Sequence, residues 1–254
     1  MLELTVDRAL GRQGDKILLP FDQVIFPWIV SNRSWEADNL EFLAQHIDPA
    51  RSYCVIDIGA NVGLFRRQGA LRFPNLASFI CVEADPKHFR ALRYDLAGLL
   101  NGRCAIWNVA LSHADGEARL LRDKDNSGNY PLNDDAMRDR PFDAIRVGSV
   151  ATDRWMLEHV RLDADAHAIR KSDTHGHDEL IISPTPLDVW NHVEVAIAEL
   201  WRIRKPDFDR AAFIQRIDAF PHKFLGFDRP TATTEILTFL DCDDWHHTCL
   251  YLWR

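Results

Sequence analysis

The stretch CVIDIGANVGLF at 54–65, followed after a helix-length interval by FICVEAD at 79–85, decides how this chain folds. Cys54 to Asp57 is a short continuous apolar run that meets an acid, as in strands buried on both faces of a parallel sheet. Gly59-Ala60-Asn61-Val62-Gly63 reads as a tight turn, where glycines permit backbone angles and close approaches that a side chain would block. Leu64 to Arg72 fits a crossover helix ended by Pro74, and Ala77 to Val82 forms the next strand. Glu83 stands at its carboxyl end, where an acid can accept hydrogen bonds from both hydroxyls of a ribose. The unit is a nucleoside-binding βαβ.

Its turn is G-x-x-x-G and follows an aspartate. A dinucleotide site wants G-x-G-x-x-G, because bare backbone and a helix N-terminus must cradle a pyrophosphate. A carboxylate at Asp57 would repel phosphate but suits a ligand with a cationic amino-acid end. S-adenosylmethionine has a ribose, an ammonium, a sulfonium and no phosphate. It is the expected cofactor, with S-adenosylhomocysteine as product.

Bulk properties are those of a soluble globular protein. The chain has 254 residues, 46% hydrophobic and 27% charged, within the range of one large globular domain. A formal net charge of −8 gives no broad nucleic-acid footprint. The N-terminus lacks a basic segment leading into an apolar core, and no apolar run is long enough to span a bilayer. Five cysteines without C-x-x-C spacing predict reduced thiols and a cytoplasmic location. Oligomeric state is not legible.

Residues 1–50 are expected to be a lead-in or lid, and 51–254 a cofactor-binding domain, together one globular unit. Ile17 to Ile29, broken by Pro20 and Pro27, predicts short extended pieces. A helix is expected from Ser34 to about Ile47. After Glu83, Asp85-Pro86 supplies a helix start, and that helix ends near Gly98. Strand three runs from Arg103 to Ala110 and on to Ser112, and Glu117 to Leu121 returns beside it. Asn108-Val109-Ala110 then meets the adenine at the carboxyl edge. Residues 122–150 read as a polar, aperiodic loop. A helix at 152–160, a strand from Ala168 to Asp173, a helix from Pro184 to Val193 and a strand from Val193 to Trp201 follow. A helix over 209–220, a strand at 223–227, a helix over 233–240 and a strand at 248–253 complete an α/β, doubly wound pattern.

The segment Asp173-Thr174-His175-Gly176-His177-Asp178 concentrates titratable groups. Methyl transfer is an in-line displacement at a carbon activated by sulfonium, so alignment supplies much of the acceleration. A sugar hydroxyl also profits from a base, and Asp173, His175 and His177 are the candidates. A divalent cation is a second reading that these donors and Glu199 admit. H-x-H on an irregular turn has no fixed geometry, however, and no metal ligand is assigned.

VIDIGANVGLF at 55–65, VEADP at 82–86, NVAL at 108–111, NSG at 126–128 and IRKSDTHGHDELI at 169–181 resemble the FkbM family of methyltransferases. The resemblance covers roughly residues 35–200. It implies a Rossmann-like class I methyltransferase fold, mostly parallel and seven-stranded with an antiparallel last strand. It also implies O-methylation of a hydroxyl on a sugar, glycan or small natural product. By resemblance Asp57, Gly59, Ala60, Asn61 and Gly63 contact the methionine end of the cofactor. Glu83 and Ala84 take the ribose side, Asn108, Val109 and Ala110 border the adenine, and Asp173 faces the methyl group. The family often carries glutamate two residues after that aspartate, where this chain has His175. Two rival functions remain at this stage: a non-catalytic scaffold that keeps the fold, and a nicotinamide-dependent oxidoreductase.

Overall fold

The computed structural model describes the chain except residues 6–9, 11–13, 98–101, 133, 138–139, 204, 206 and 227–228. The chain begins with a hairpin of β1 (Leu2–Thr5) and β2 (Lys16–Leu19), then α1 (Ile25–Asn32) and α2 (Ala37–His46). Alternation follows: β3 (Tyr53–Ile58), α3 (Leu64–Arg72), β4 (Leu76–Val82), α4 (Pro86–Ala97) and β5 (Cys104–Trp107). Next come three strands, β6 (Ala110–Ser112), β7 (Gly116–Asp123) and β8 (Phe142–Ala151), and helix α5 (Thr152–His159). The last third holds β9 (His167–Ser172), α6 (Asp178–Ile182), α7 (Leu187–Trp190) and β10 (Val193–Trp201). It closes with α8 (Arg210–Ile217), β11 (His222–Leu225), α9 (Thr233–Leu240) and β12 (His247–Trp253).

Seven strands form the central sheet in the order β11-β12-β10-β9-β3-β4-β5. The ladders β10–β9, β9–β3, β3–β4 and β4–β5 are parallel, whereas β12 is antiparallel to both of its neighbours. The final strand is therefore inserted one place in from the edge. This is the class I Rossmann-like arrangement, a doubly wound and mostly parallel sheet. Alternate residues of each strand feed two cores. Ile56, Ile58, Ala196 and Ala198 pack with Trp190, Phe213 and Phe220 on one face. Val55, Cys81, Val195 and Ile197 pack with Phe65, Leu92 and Tyr251 on the other. Burial on both faces explains the continuous apolar runs.

Four expectations need correction. Residues 122–150 are not loop throughout, because β8 pairs with β7 from Phe142 to Ser149 and with β6 from Ser149 to Ala151 in a separate three-stranded sheet. Its period-two signal is faint, since Val147 and Ser149 alternate with the exposed Arg146 and Gly148. Strand three is broken at Asn108, whose amide donates to the carbonyls of Glu83 and Ala84 at 2.8 and 3.0 Å and draws the chain out of the ladder. The helix expected over 184–193 shortens to α7 at Leu187–Trp190, and an unexpected short helix, α6, precedes it, the two parted around Pro184 and Pro186, which cannot continue a helix. Conversely, Pro27 does not prevent α1, because it falls in the first turn, where a missing N–H costs no intrahelical bond.

The order of the sheet reverses at β3, whose neighbours β4 and β9 lead outward in opposite directions. Ligands of open α/β sheets bind at such a switch point. Here the two strand ends nearly touch. A Cβ on Gly59 would lie 1.9 Å from the carbonyl oxygen of Asp173, and Gly59 has φ of +75°. Replacing Gly59 by alanine is expected to cost roughly 2–4 kcal/mol through clash and backbone strain. A urea midpoint equal to that of the unaltered protein would contradict this close approach.

Candidate functional site

A cavity of about 880 Å3, mouth included, opens at the carboxyl ends of β3, β4 and β9. Its lining combines apolar walls with a few convergent polar groups, as small-molecule sites do. The turn after β3 forms its floor. Gly59 and Ala60 both donate to the carbonyl of Val82, and Asn61 adopts φ of +48°. Asn61 N–H donates to Glu83 Oε2 at 2.7 Å, and Val62 N–H donates to Asn61 Oδ1 at 2.7 Å. The amides that a phosphate would need are thus already engaged.

Glu83 is buried at the end of β4, and Asp85 N–H donates to its second oxygen at 2.8 Å. Burial outweighs these donors and pushes its carboxyl up to about 7. Ala84, Val109 and Ala110 line the next part of the wall. Asn108 does not line it. It stands behind and holds the Glu83 and Ala84 carbonyls in place. Gly63 is also outside the lining, as the residue before α3, with φ of +88° and no room for a Cβ against Leu92.

Asp57 departs furthest from expectation. Its carboxylate has no exposure and turns under the loop to Arg66, 2.6 Å away and itself buried. Lys171 Nζ lies 4.0 Å away. Asp57 therefore acts as a buried anchor rather than as a wall of the cavity. Arg66 also donates to the carbonyl of Ala60 at 3.0 Å, which couples the ion pair to the turn.

At the end of β9, Asp173 and His175 both line the cavity. Asp173 N–H donates to Ile58 O at 3.0 Å, and His175 Nδ1 is 3.6 Å from Asp173 Oδ1. Burial lowers the His175 pKa, while burial and the charge of Glu199 raise that of Asp173. His177 points elsewhere. Its Nε2 is 3.2 Å from Ser112 Oγ, and burial presses its pKa down to about 4.

Several wall residues carried weak sequence signals. Lys171 Nζ is 3.1 Å from Glu36 Oε1 and 3.8 Å from Asp173 Oδ2. The lysine-x-aspartate spacing could have marked it. Trp35 and Glu36 form one wall, and Glu36 also accepts from Trp35 Nε1 at 3.1 Å. His88 stacks on Tyr130 with ring centroids 4.7 Å apart, opposite the Ser127-Gly128 loop.

No family model matches this chain, and no curated protein matches it. Solved structures do. A precorrin-6y C5,15-methyltransferase from Geobacter metallireducens is 11% identical, with 97% of this chain and 98% of that chain covered and a TM-score of 0.44. The methyltransferase FkbM from Methylobacillus flagellatus is 12% identical, with a TM-score of 0.47. That match covers 80% of this chain but only 44% of the other. The N-terminal domain of human METTL16 in complex with SAH is 12% identical, covers 93% and 75%, and has a TM-score of 0.39.

The Asp57–Arg66 pair yields a stability test. Arg66→Met removes the nearest partner of a buried carboxylate, leaving only Lys171 at 4.0 Å, and is expected to cost about 3 kcal/mol at pH 7. Asp57 would then have a folded pKa raised above its unfolded value. Its penalty is therefore present above the unfolded pKa and shrinks as acid protonates the group. Adding Asp57→Asn should recover much of the loss in urea unfolding. A single variant as stable as the parent would remove this pair from the account.

Proposed function

We propose that this protein is an S-adenosylmethionine-dependent methyltransferase that methylates a hydroxyl on a sugar, glycan or small natural product. The observation that carries the proposal is the state of the turn at the switch point. Its amides are taken by Val82, Glu83 and Asn61, while Glu83 offers a carboxylate on the cavity wall. A ribose without a phosphate fits such a site, and a dinucleotide does not. We assign Gly59, Ala60 and Asn61 to the amino-acid end, Glu83 and Ala84 to the ribose, and Val109 and Ala110 to the adenine. Asp57, Gly63 and Asn108 position that surface from behind. Residues 1–50 contribute Ile25, Trp35 and Glu36 and serve as a lid, with 51–254 as the cofactor domain. The reducing cytoplasm suits five free cysteines.

In the transfer, the acceptor oxygen forms a bond to the methyl carbon as the carbon–sulfur bond breaks, and its electron pair stays on sulfur. The acceptor proton must leave. Asp173 and His175 stand at the cavity where it does so. They align the hydroxyl and promote its deprotonation, whereas His177 takes no part. Trp35 and Tyr130 supply flat apolar faces for a ring.

Calorimetric titration should detect S-adenosylhomocysteine binding and no NAD binding; NAD alone would sink the proposal. Affinity for S-adenosylhomocysteine should rise as pH increases through about 7, because ionised Glu83 accepts hydroxyl hydrogen bonds better. Glu83→Gln should flatten that dependence. Asp173→Asn should lower turnover by about 10²-fold or more with cofactor affinity retained.

A further inference from the structure

We infer that Asp173, His175 and Glu199 bind one divalent first-row metal ion beside the cavity. The ladder between β9 and β10 pairs Ser172 with Ala198, so the next residues, Asp173 and Glu199, emerge at one level of adjacent strands. His175 joins them because the chain turns back, with φ of +51° there and +86° at Gly176. Glycine at 176 is favoured by its φ of +86°, and a Cβ there would also push on Ile203 Cδ1 at 2.4 Å. One donor atom from each of the three residues lies within 4.8 Å of the others. Metal bonds of about 2.0–2.2 Å hold tetrahedral donors roughly 3.4 Å apart, so the three side chains would draw together by about 1 Å on an ion.

Two independent observations point to a cation. Asp173 Oδ1 is shut off from solvent and accepts no hydrogen bond, with His175 Nδ1 its near neighbour at 3.6 Å, while the side chain as a whole is 28% exposed toward the cavity. Glu199 is braced from behind. Its Oε1 is 2.9 Å from His247 Nδ1, and its Oε2 accepts from Trp201 Nε1 at 2.5 Å. Such outer contacts orient ligating carboxylates. Local charge agrees, because Lys171 is divided among Glu36, Asp57 and Asp173. Two carboxylates and an imidazole suit manganese, iron or zinc.

The use assigned to the ion rests on the methyl-transfer reading. Asp173 and His175 line the cavity, so open coordination positions would face an acceptor. A vicinal diol would chelate there, and an ion-bound hydroxyl gives up its proton more readily. That proton passes to solvent as the oxygen takes the methyl group. Asp173 and His175 would then promote deprotonation through the ion.

The full chain, stripped with EDTA, should be titrated with Mn2+ alone and followed by electron paramagnetic resonance of the free ion. The expected result is one Mn2+ per chain, displaced by Zn2+. Glu199→Gln and Asp173→Asn should each weaken binding about tenfold or more, with S-adenosylhomocysteine binding kept as proof of folding. If Glu199→Gln fails to fold, His175→Gln on the loop serves in its place. Absence of Mn2+ and Zn2+ binding, or binding unaffected by the variants, would overturn the inference. Nucleoside binding without ion binding would drop the ion site and leave methyl transfer standing; ion binding without nucleoside binding would do the reverse.

Discussion

The site depends on a carboxylate that never reaches it. Asp57 is wholly buried at the end of β3, and an unpaired charge there would be prohibitive. Arg66 from α3 and Lys171 from β9 compensate it, and Glu36, just before α2, shares the lysine. The β3–α3 unit, the start of α2 and the end of β9, far apart in sequence, are thereby tied at one point. Arg66 reaches on to the Ala60 carbonyl, so the turn that floors the cavity is held from below. The close approach of Gly59 to the Asp173 carbonyl then brings the carboxyl ends of β3 and β9 together.

Much of this was legible because the central strands are buried on both faces. Apolar runs such as VEVAIAELW have few alternatives, and β10 and α9 have the bounds expected from their residues. Weakly buried elements were the ones missed. Strand β8 presents only Val147 and Ser149 as fully buried positions along its length, too few to stand out from a polar loop. Pro184 and Pro186 were visible, yet their effect depends on where the flanking helices find a core. The helix-like character of that segment survives only in α7.

The site divides along the same line. Turn and strand-end residues are set by backbone position, so Gly59, Ala60, Asn61, Glu83, Ala84, Val109 and Ala110 lie on the cavity. Side-chain direction is a tertiary matter. Nothing in the spacing shows that Asp57 points down to Arg66, that Asn108 braces a neighbouring strand, or that His177 turns toward Ser112. Lys171 and Glu36 escaped notice because their pairing joins residues far apart in sequence.

Their role follows from electrostatics. A cavity walled by Glu36, Glu83 and Asp173, with Lys171 the compensating ammonium, favours a ligand that brings positive charge and hydroxyl donors. The most direct test is a crystal structure of the protein with S-adenosylhomocysteine. The account predicts ribose hydroxyls on Glu83 and the sulfur directed toward Asp173 and His175. A nucleoside bound outside this cavity, or with its sulfur turned away from the end of β9, would contradict it.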